Sequence, residues 1–230
     1  MRRDRAVLFD LDDTLYPLRL FVQSGFAAVA AHLEQAVGVD RREALETLKD
    51  AATGPNRGRE LQILIAGFGL PLSILPHLVQ LIRDHTPAIQ LPLPAVRALQ
   101  ILRPHWRLGI LTNGLPAVQR RKVEALGLAG AVDTIVYAAE HGARGGKPER
   151  APFMAAVGAL GVTADRTVFV GDDEWCDLVG ATRVGMRTVF LRAAEHADPS
   201  FHADAIVHTL LDVPRVADAL VPAQWQQCVA

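Results

Sequence analysis

Six short apolar runs constrain this chain more than any other feature. Ala6-Val7-Leu8-Phe9 comes first and stops at an acidic cluster. Leu108–Leu111, Thr134–Tyr137, Thr167–Val170, Thr188–Leu191 and Ala205–Val207 come after it. Continuous apolar runs, without alternation, mark strands buried on both faces of a parallel sheet. Helical patterns fall between them: Ala117–Leu126, Ala151–Leu160 and Asp177–Val184, stopped near Gly127, Gly161 and Gly185. Strands alternating with helices predict an α/β fold with a Rossmann-like parallel sheet.

One segment breaks the alternation. From Pro17 to Leu91 the pattern is helical almost throughout, over Phe21–Val37, Arg41–Ala52, Glu60–Ala66 and Leu75–His85. Gly54-Pro55-Asn56-Arg57-Gly58 is a loop within it, and Pro87, Pro92 and Pro94 mark its exit. The expected organisation is an α/β core of residues 1–16 and 92–230. A helical domain, 17–91, is inserted after the first strand.

Composition removes several classes of function. Half of the 230 residues are apolar, enough for a sizeable core, and the formal net charge is -1. A nucleic-acid-binding protein usually carries a basic excess, which is absent here. The basic start Arg2-Arg3-Asp4-Arg5 reads as a solvated end before the first strand. No apolar stretch reaches the roughly 18 residues of a membrane span, and acids interrupt the first run too early for a signal peptide. Cys176 and Cys228 form no metal pattern. A soluble, cytoplasmic protein is expected, with its oligomeric state open.

Open α/β sheets bind ligands beyond the carboxyl ends of their strands. The first strand ends in Asp10-Leu11-Asp12-Asp13-Thr14, the second in Thr112-Asn113-Gly114, and the fourth in Gly171-Asp172-Asp173 with Asp177 beyond. Lys147 sits in Gly145-Gly146-Lys147-Pro148, after the third strand. Converging carboxylates need a cation, and oxygen ligands suit magnesium. A lysine and a threonine supply donors for phosphoryl oxygens. Together these groups describe a phosphoryl-transfer centre in which a carboxylate can be the nucleophile.

These residues resemble the haloacid dehalogenase-like (HAD) hydrolase superfamily. The resemblance rests on Phe9-Asp10-Leu11-Asp12-Asp13-Thr14-Leu15, Leu111-Thr112-Asn113-Gly114, Lys147-Pro148 and Val170-Gly171-Asp172-Asp173 running to Asp177. The helical insertion resembles the C1-type cap of subfamily I. The resemblance implies a magnesium-dependent phosphatase acting on a small phosphomonoester, a nucleotide or a sugar phosphate. Asp10 would form an aspartyl phosphate. Asp12 would protonate the leaving oxygen and later take a proton from water. Asp10 and Asp172 would bind Mg2+ through carboxylates and Asp12 through its backbone carbonyl. Thr112, Asn113 and Lys147 would hold the phosphoryl oxygens. Asp177 would orient a metal-bound water or support Lys147, with Asp173 sharing that task or shaping the loop.

The inserted domain is expected to select the substrate. Arg57 and Arg59 are its candidates, because arginine pairs with phosphate or carboxylate through two hydrogen bonds. Cys176, Trp106 and Trp175 read as packing, core or lid residues, and His196, His202 and His208 as surface. A haloacid dehalogenase on the same fold is an alternative, but its pattern lacks the second aspartate, against Asp12 and Asp172. A phosphosugar mutase is the other alternative. A receiver domain places its lysine last, whereas Lys147 precedes Asp172. A P-loop would need glycine at 141, which is histidine, and Ser or Thr at 148, which is proline.

Overall fold

The computed structural model describes residues 3–142, 145–192 and 202–223. His196 and Cys228 lie outside the described residues. The strands are β1 (Ala6–Phe9), β2 (Arg107–Thr112), β3 (Thr134–Tyr137), β4 (Thr167–Gly171), β5 (Arg187–Leu191) and β6 (Ala205–Val207). They form one six-stranded sheet in the order β3-β2-β1-β4-β5-β6, and every pairing is parallel. The predicted Rossmann-like α/β core is therefore the one observed. Every residue of β1 is buried, as its unbroken apolar run requires.

Strand register sets where the polar strand ends emerge. Phe9 lies opposite Ile110 on one side and Val170 on the other. Asp10, Thr112 and Asp172 thus leave the sheet at its same edge. The chain runs to one side of β1 through β2 and β3, then returns to the other side at β4. That reversal opens the crevice where open α/β sheets place ligands.

The chain divides into two compact units, residues 1–17 with 90–230 and residues 18–89. The second unit contains α1 (Leu18–Val37), α2 (Arg41–Thr53), α3 (Glu60–Gly67) and α4 (Leu75–Asp84). It has a core of its own, in which Phe26, Val29, Leu33, Leu48, Leu64 and Leu78 pack together. Asp40 caps α2, its carboxylate accepting from Glu43 N at 2.8 Å. In the first unit α5 (Leu93–Leu102), α6 (Pro116–Ala125), α7 (Arg150–Leu160), α8 (Gly180–Arg183) and α9 (Val213–Leu220) accompany the sheet. Phe153 of α7 packs on Phe169 of β4 with ring centroids 5.3 Å apart.

The structure corrects three expectations. Helices α5 and α9, which contain Pro94 and Pro214, lack a counterpart among the predicted elements, where Pro94 reads only as an exit mark of the helical segment. Both prolines sit in a first helical turn, where the missing N–H leaves no hydrogen bond unmade. The helix expected from Asp177 begins earlier, as a π-helical turn over Glu174–Val179 that continues into α8. The basic start is not a solvated end. Arg3 pairs with Asp133 at 2.8 Å, and Arg5 is buried over the Trp106 ring, donating to Val221 O at 2.8 Å. Of the two tryptophans read as core or lid residues, Trp106 is core and Trp175 is 60% exposed beside Arg183. No helix among the described residues is long and apolar enough to cross a membrane.

Candidate active site

The loop after β1 is closed by its own backbone. Asp10 N donates to Val170 O at 2.9 Å, Leu15 N to Leu11 O at 3.0 Å and Asp13 N to Tyr16 O at 2.9 Å. Asp13 takes a positive φ of 58° at the tip, a conformation that aspartate tolerates better than most residues. These bonds hold Asp10, Asp12 and Thr14 against the strand ends.

Lys147 is a buried cation at the centre of the carboxylate cluster. Its ammonium pairs with Asp10 on one side and with Asp177, at 2.6 Å, on the other. Burial pulls the lysine pKa down, but Asp10 and Asp177 more than offset it and leave it raised. Burial pushes the Asp10 carboxyl up to about 7 despite Lys147, with the Asp177 charge adding to the rise. Asp172 is pushed up to about 6, first by burial and then by the charges of Asp10 and Asp13, against a hydrogen bond from Thr14. Burial also raises Asp177. Gly171 makes room for this cluster, since a Cβ there would collide with the Asp177 carboxylate.

Asn113 fixes the lysine loop. Lys147 N donates to Asn113 Oδ1 at 2.7 Å, and Asn113 Nδ2 donates to Lys147 O at 3.2 Å. Gly146 lets the loop come this close. Its φ is 147°, and a Cβ would stand 3.2 Å from Asn113 Oδ1. Thr112, 1% exposed, lies beside Asn113. A cavity of about 180 Å³ opens among these groups, lined by Asp10, Asp12, Thr112, Asn113, Lys147, Asp172, Asp173, Cys176 and Asp177.

Four contributors went unrecognised in the sequence. Thr14 Oγ1 donates to Asp172 Oδ1 at 2.6 Å. Tyr16 donates to Asp12 at 2.7 Å. From α6, Gln119 Nε2 donates to Asp12 Oδ2 at 3.0 Å, and Lys122 Nζ donates to both Asp12 oxygens at 2.8 Å. The available signal was local: Gln119 and Lys122 are one helical turn apart and share a face.

A family model described as haloacid dehalogenase-like hydrolase matches residues 5–185. The chain belongs to this family. A glyceraldehyde 3-phosphate phosphatase of Methanopyrus kandleri is 32% identical, with 92% of this chain and 97% of the relative covered. A ribulose-1,5-bisphosphate 5-phosphatase of Halopiger xanaduensis is 31% identical over 86% of this chain and 89% of the relative. The crystal structure of a 2-haloacid dehalogenase from Pseudomonas syringae pv. Tomato DC3000 superimposes with a TM-score of 0.65 at 26% identity, covering 94% and 98% of the two chains.

In this HAD-like hydrolase the acidic cluster fits a hard divalent cation. Carboxylate oxygens of Asp10, Asp172 and Asp177 all lie within 4.8 Å of one another. The single ammonium of Lys147 cannot neutralise three carboxylates, and oxygen donors of this kind suit magnesium. Asp173 shapes its loop, the second of the two readings its position allows. Its carboxylate accepts from Cys176 N at 2.6 Å and caps the π-helical turn, while its backbone N donates to Asp177 Oδ2 at 3.2 Å. Cys176 borders the cavity, but burial, Asp173 and Asp177 push its thiol up to about 11. It is thus held as the thiol, a weak nucleophile. Arg57 and Arg59 are exposed in the turn between α2 and α3 of the second unit, and both backbone N–H groups close that turn. His202 and His208 are exposed, as expected.

Proposed function

We propose that this hydrolase is a magnesium-dependent phosphatase of a small sugar phosphate, acting through an aspartyl phosphate on Asp10. The observation that carries this reading is Asp10 itself. It is a buried carboxylate at a strand end, paired with Lys147 and grouped with a second strand-end carboxylate, Asp172. Two relatives that align over most of this chain are named as phosphatases of phosphorylated sugars, which favours that substrate class over nucleotides. The cavity of about 180 Å³ suits a phosphoryl group rather than a whole sugar phosphate.

Asp10 and Asp172, with the backbone carbonyl of Asp12, would hold the magnesium ion. When bound, the ion offsets the carboxylate charge and stabilises charge on the phosphoryl oxygens. Lys147, Thr112 and the loop at Asn113 hold those oxygens. An Asp10 oxygen attacks phosphorus as the bond to the leaving oxygen breaks. Asp12 gives that oxygen a proton. Water then attacks the aspartyl phosphate and yields a proton to Asp12, releasing inorganic phosphate and restoring Asp10. Residues 18–89 act in this reading as the cap that selects the substrate, through Arg57 and Arg59.

The test is phosphate release from a panel of phosphosugars, nucleotides and 2-haloacids, with and without magnesium. Wild type, Asp10→Asn and Arg57→Ala/Arg59→Ala are compared. Magnesium-dependent release from sugar phosphates, lost in Asp10→Asn and weakened in KM by the arginine pair, is expected. Release that survives in Asp10→Asn would sink the mechanism. Halide release, or isomerisation without free phosphate, would replace the function with that of a dehalogenase or a mutase.

A further inference from the structure

Two buried polar side chains of α6 are unused by the reaction as described. Lys122 is 3% exposed and Gln119 4%. A lysine this deeply buried is uncommon and calls for a partner. Its partner is Asp12, whose two oxygens both accept from Lys122 Nζ at 2.8 Å. Gln119 Nε2 reaches Asp12 Oδ2 at 3.0 Å and Asn113 O at 2.6 Å. Tyr16 reaches Asp12 Oδ1 at 2.7 Å. A carboxylate has about four acceptor positions, and these contacts occupy all of them. Neither Lys122 nor Gln119 borders the cavity; Lys122 meets the cavity lining through Asp12, and Gln119 through Asp12 and Asn113. The close fit extends to Gly114, where a Cβ would lie 2.8 Å from Gln119 Nε2.

We propose that Lys122, assisted by Gln119, is the positioning residue of the acid–base aspartate. It holds the Asp12 carboxylate in one place and orientation beside the cavity. One donor yields when the leaving oxygen, and later water, comes within reach. This rests on the phosphatase reading and assigns α6 a part in it. A purely structural ion pair explains the site less well. Buried pairs contribute little net stability compared with apolar packing, and this one engages an aspartate that lines the cavity, on the same loop as Asp10.

The experiment uses Lys122→Met, Asp12→Asn and the double variant in the full chain with magnesium, with thermal unfolding as a fold check. With an alkyl phosphate, both half-reactions need Asp12. Lys122→Met is expected to slow single-turnover release roughly 10- to 100-fold, a fraction of what acid–base catalysis contributes. With p-nitrophenyl phosphate the leaving group needs no proton. A rapid burst of nitrophenolate followed by slow turnover is then expected, as only the second half-reaction is impaired. In the Asp12→Asn background, Lys122→Met should cost nothing further. Additive losses, or equal slowing of burst and turnover, would overturn the proposal. If Lys122→Met does not fold, Lys122→Gln keeps one donor and removes the charge, and is judged by the same burst and the same cycle. Wild type that releases no phosphate from any ester would instead overturn the phosphatase reading, and this role with it, before any variant is compared.

Discussion

Asn113 and Lys147 hold each other by two hydrogen bonds, Lys147 N to Asn113 Oδ1 at 2.7 Å and Asn113 Nδ2 to Lys147 O at 3.2 Å. One side chain from the end of β2 thereby sets the backbone of the loop after β3. Asn113→Ala should remove both bonds and loosen the lysine. A stability loss of about 1–3 kcal/mol is expected, together with a fall in kcat larger than any change in KM. Chemical denaturation and steady-state kinetics of the same preparation check this.

Lys147→Met should be more damaging to the fold. It leaves Asp10 and Asp177 buried without their cation, and breaking such a pair costs about 3–5 kcal/mol. The deficit should shrink in acid, where Asp10, its carboxyl raised to about 7, is protonated and no longer needs the cation. Unfolding free energies of wild type and variant, measured at pH 7 and pH 5, should converge at the lower pH. A gap that stays constant would contradict the role assigned to the lysine.

Stability of the metal-free protein should depend on pH in a definite sense. Asp10 and Asp172 have folded pKa values raised to about 7 and about 6, from 3.8. Between about pH 4 and 7 the folded state therefore binds more protons than the unfolded one. Their contribution is present in full below pH 4 and is lost as pH rises through 6 and 7. Melting temperatures in EDTA should fall across that window. Magnesium should restore stability at pH 7, and Asp172→Asn should flatten the metal-free profile.

Thr14→Val tests the support of Asp172. The hydroxyl donates to Asp172 Oδ1 at 2.6 Å, orienting the carboxylate. Partners of this kind typically change metal affinity 10- to 100-fold. A magnesium titration of activity should show about 10-fold weaker binding, with kcat at saturating magnesium reduced much less. Unchanged affinity would show that Asp172 needs no orientation.

The sequence by itself determined the sheet and most of its edge. Unbroken apolar runs of this length suit strands covered on both faces, and the acids that end them then lie at the carboxyl edge. Asp10, Lys147, Asp172 and Asp177 could therefore be grouped from chain order alone. Local patterns misled where the physics was ambiguous. Pro94 looks like a break but opens a helix, because the first turn needs no N–H.

Tertiary structure alone decided who meets Asp12 and Asp172. Lys122 lies 110 residues from Asp12, and Thr14 lies 158 from Asp172. Spacing shows at most that Lys122 shares a helix face with Gln119; neither partner can be read from it, since a lysine on a helix and a threonine in a loop are ordinarily solvated. The parallel register places β2 and β4 on either side of β1 and brings their following segments to one point. Only there does a lysine of α6 become the buried partner of an aspartate in the first loop. Chain order supplies the charges, and the sheet decides which of them face each other.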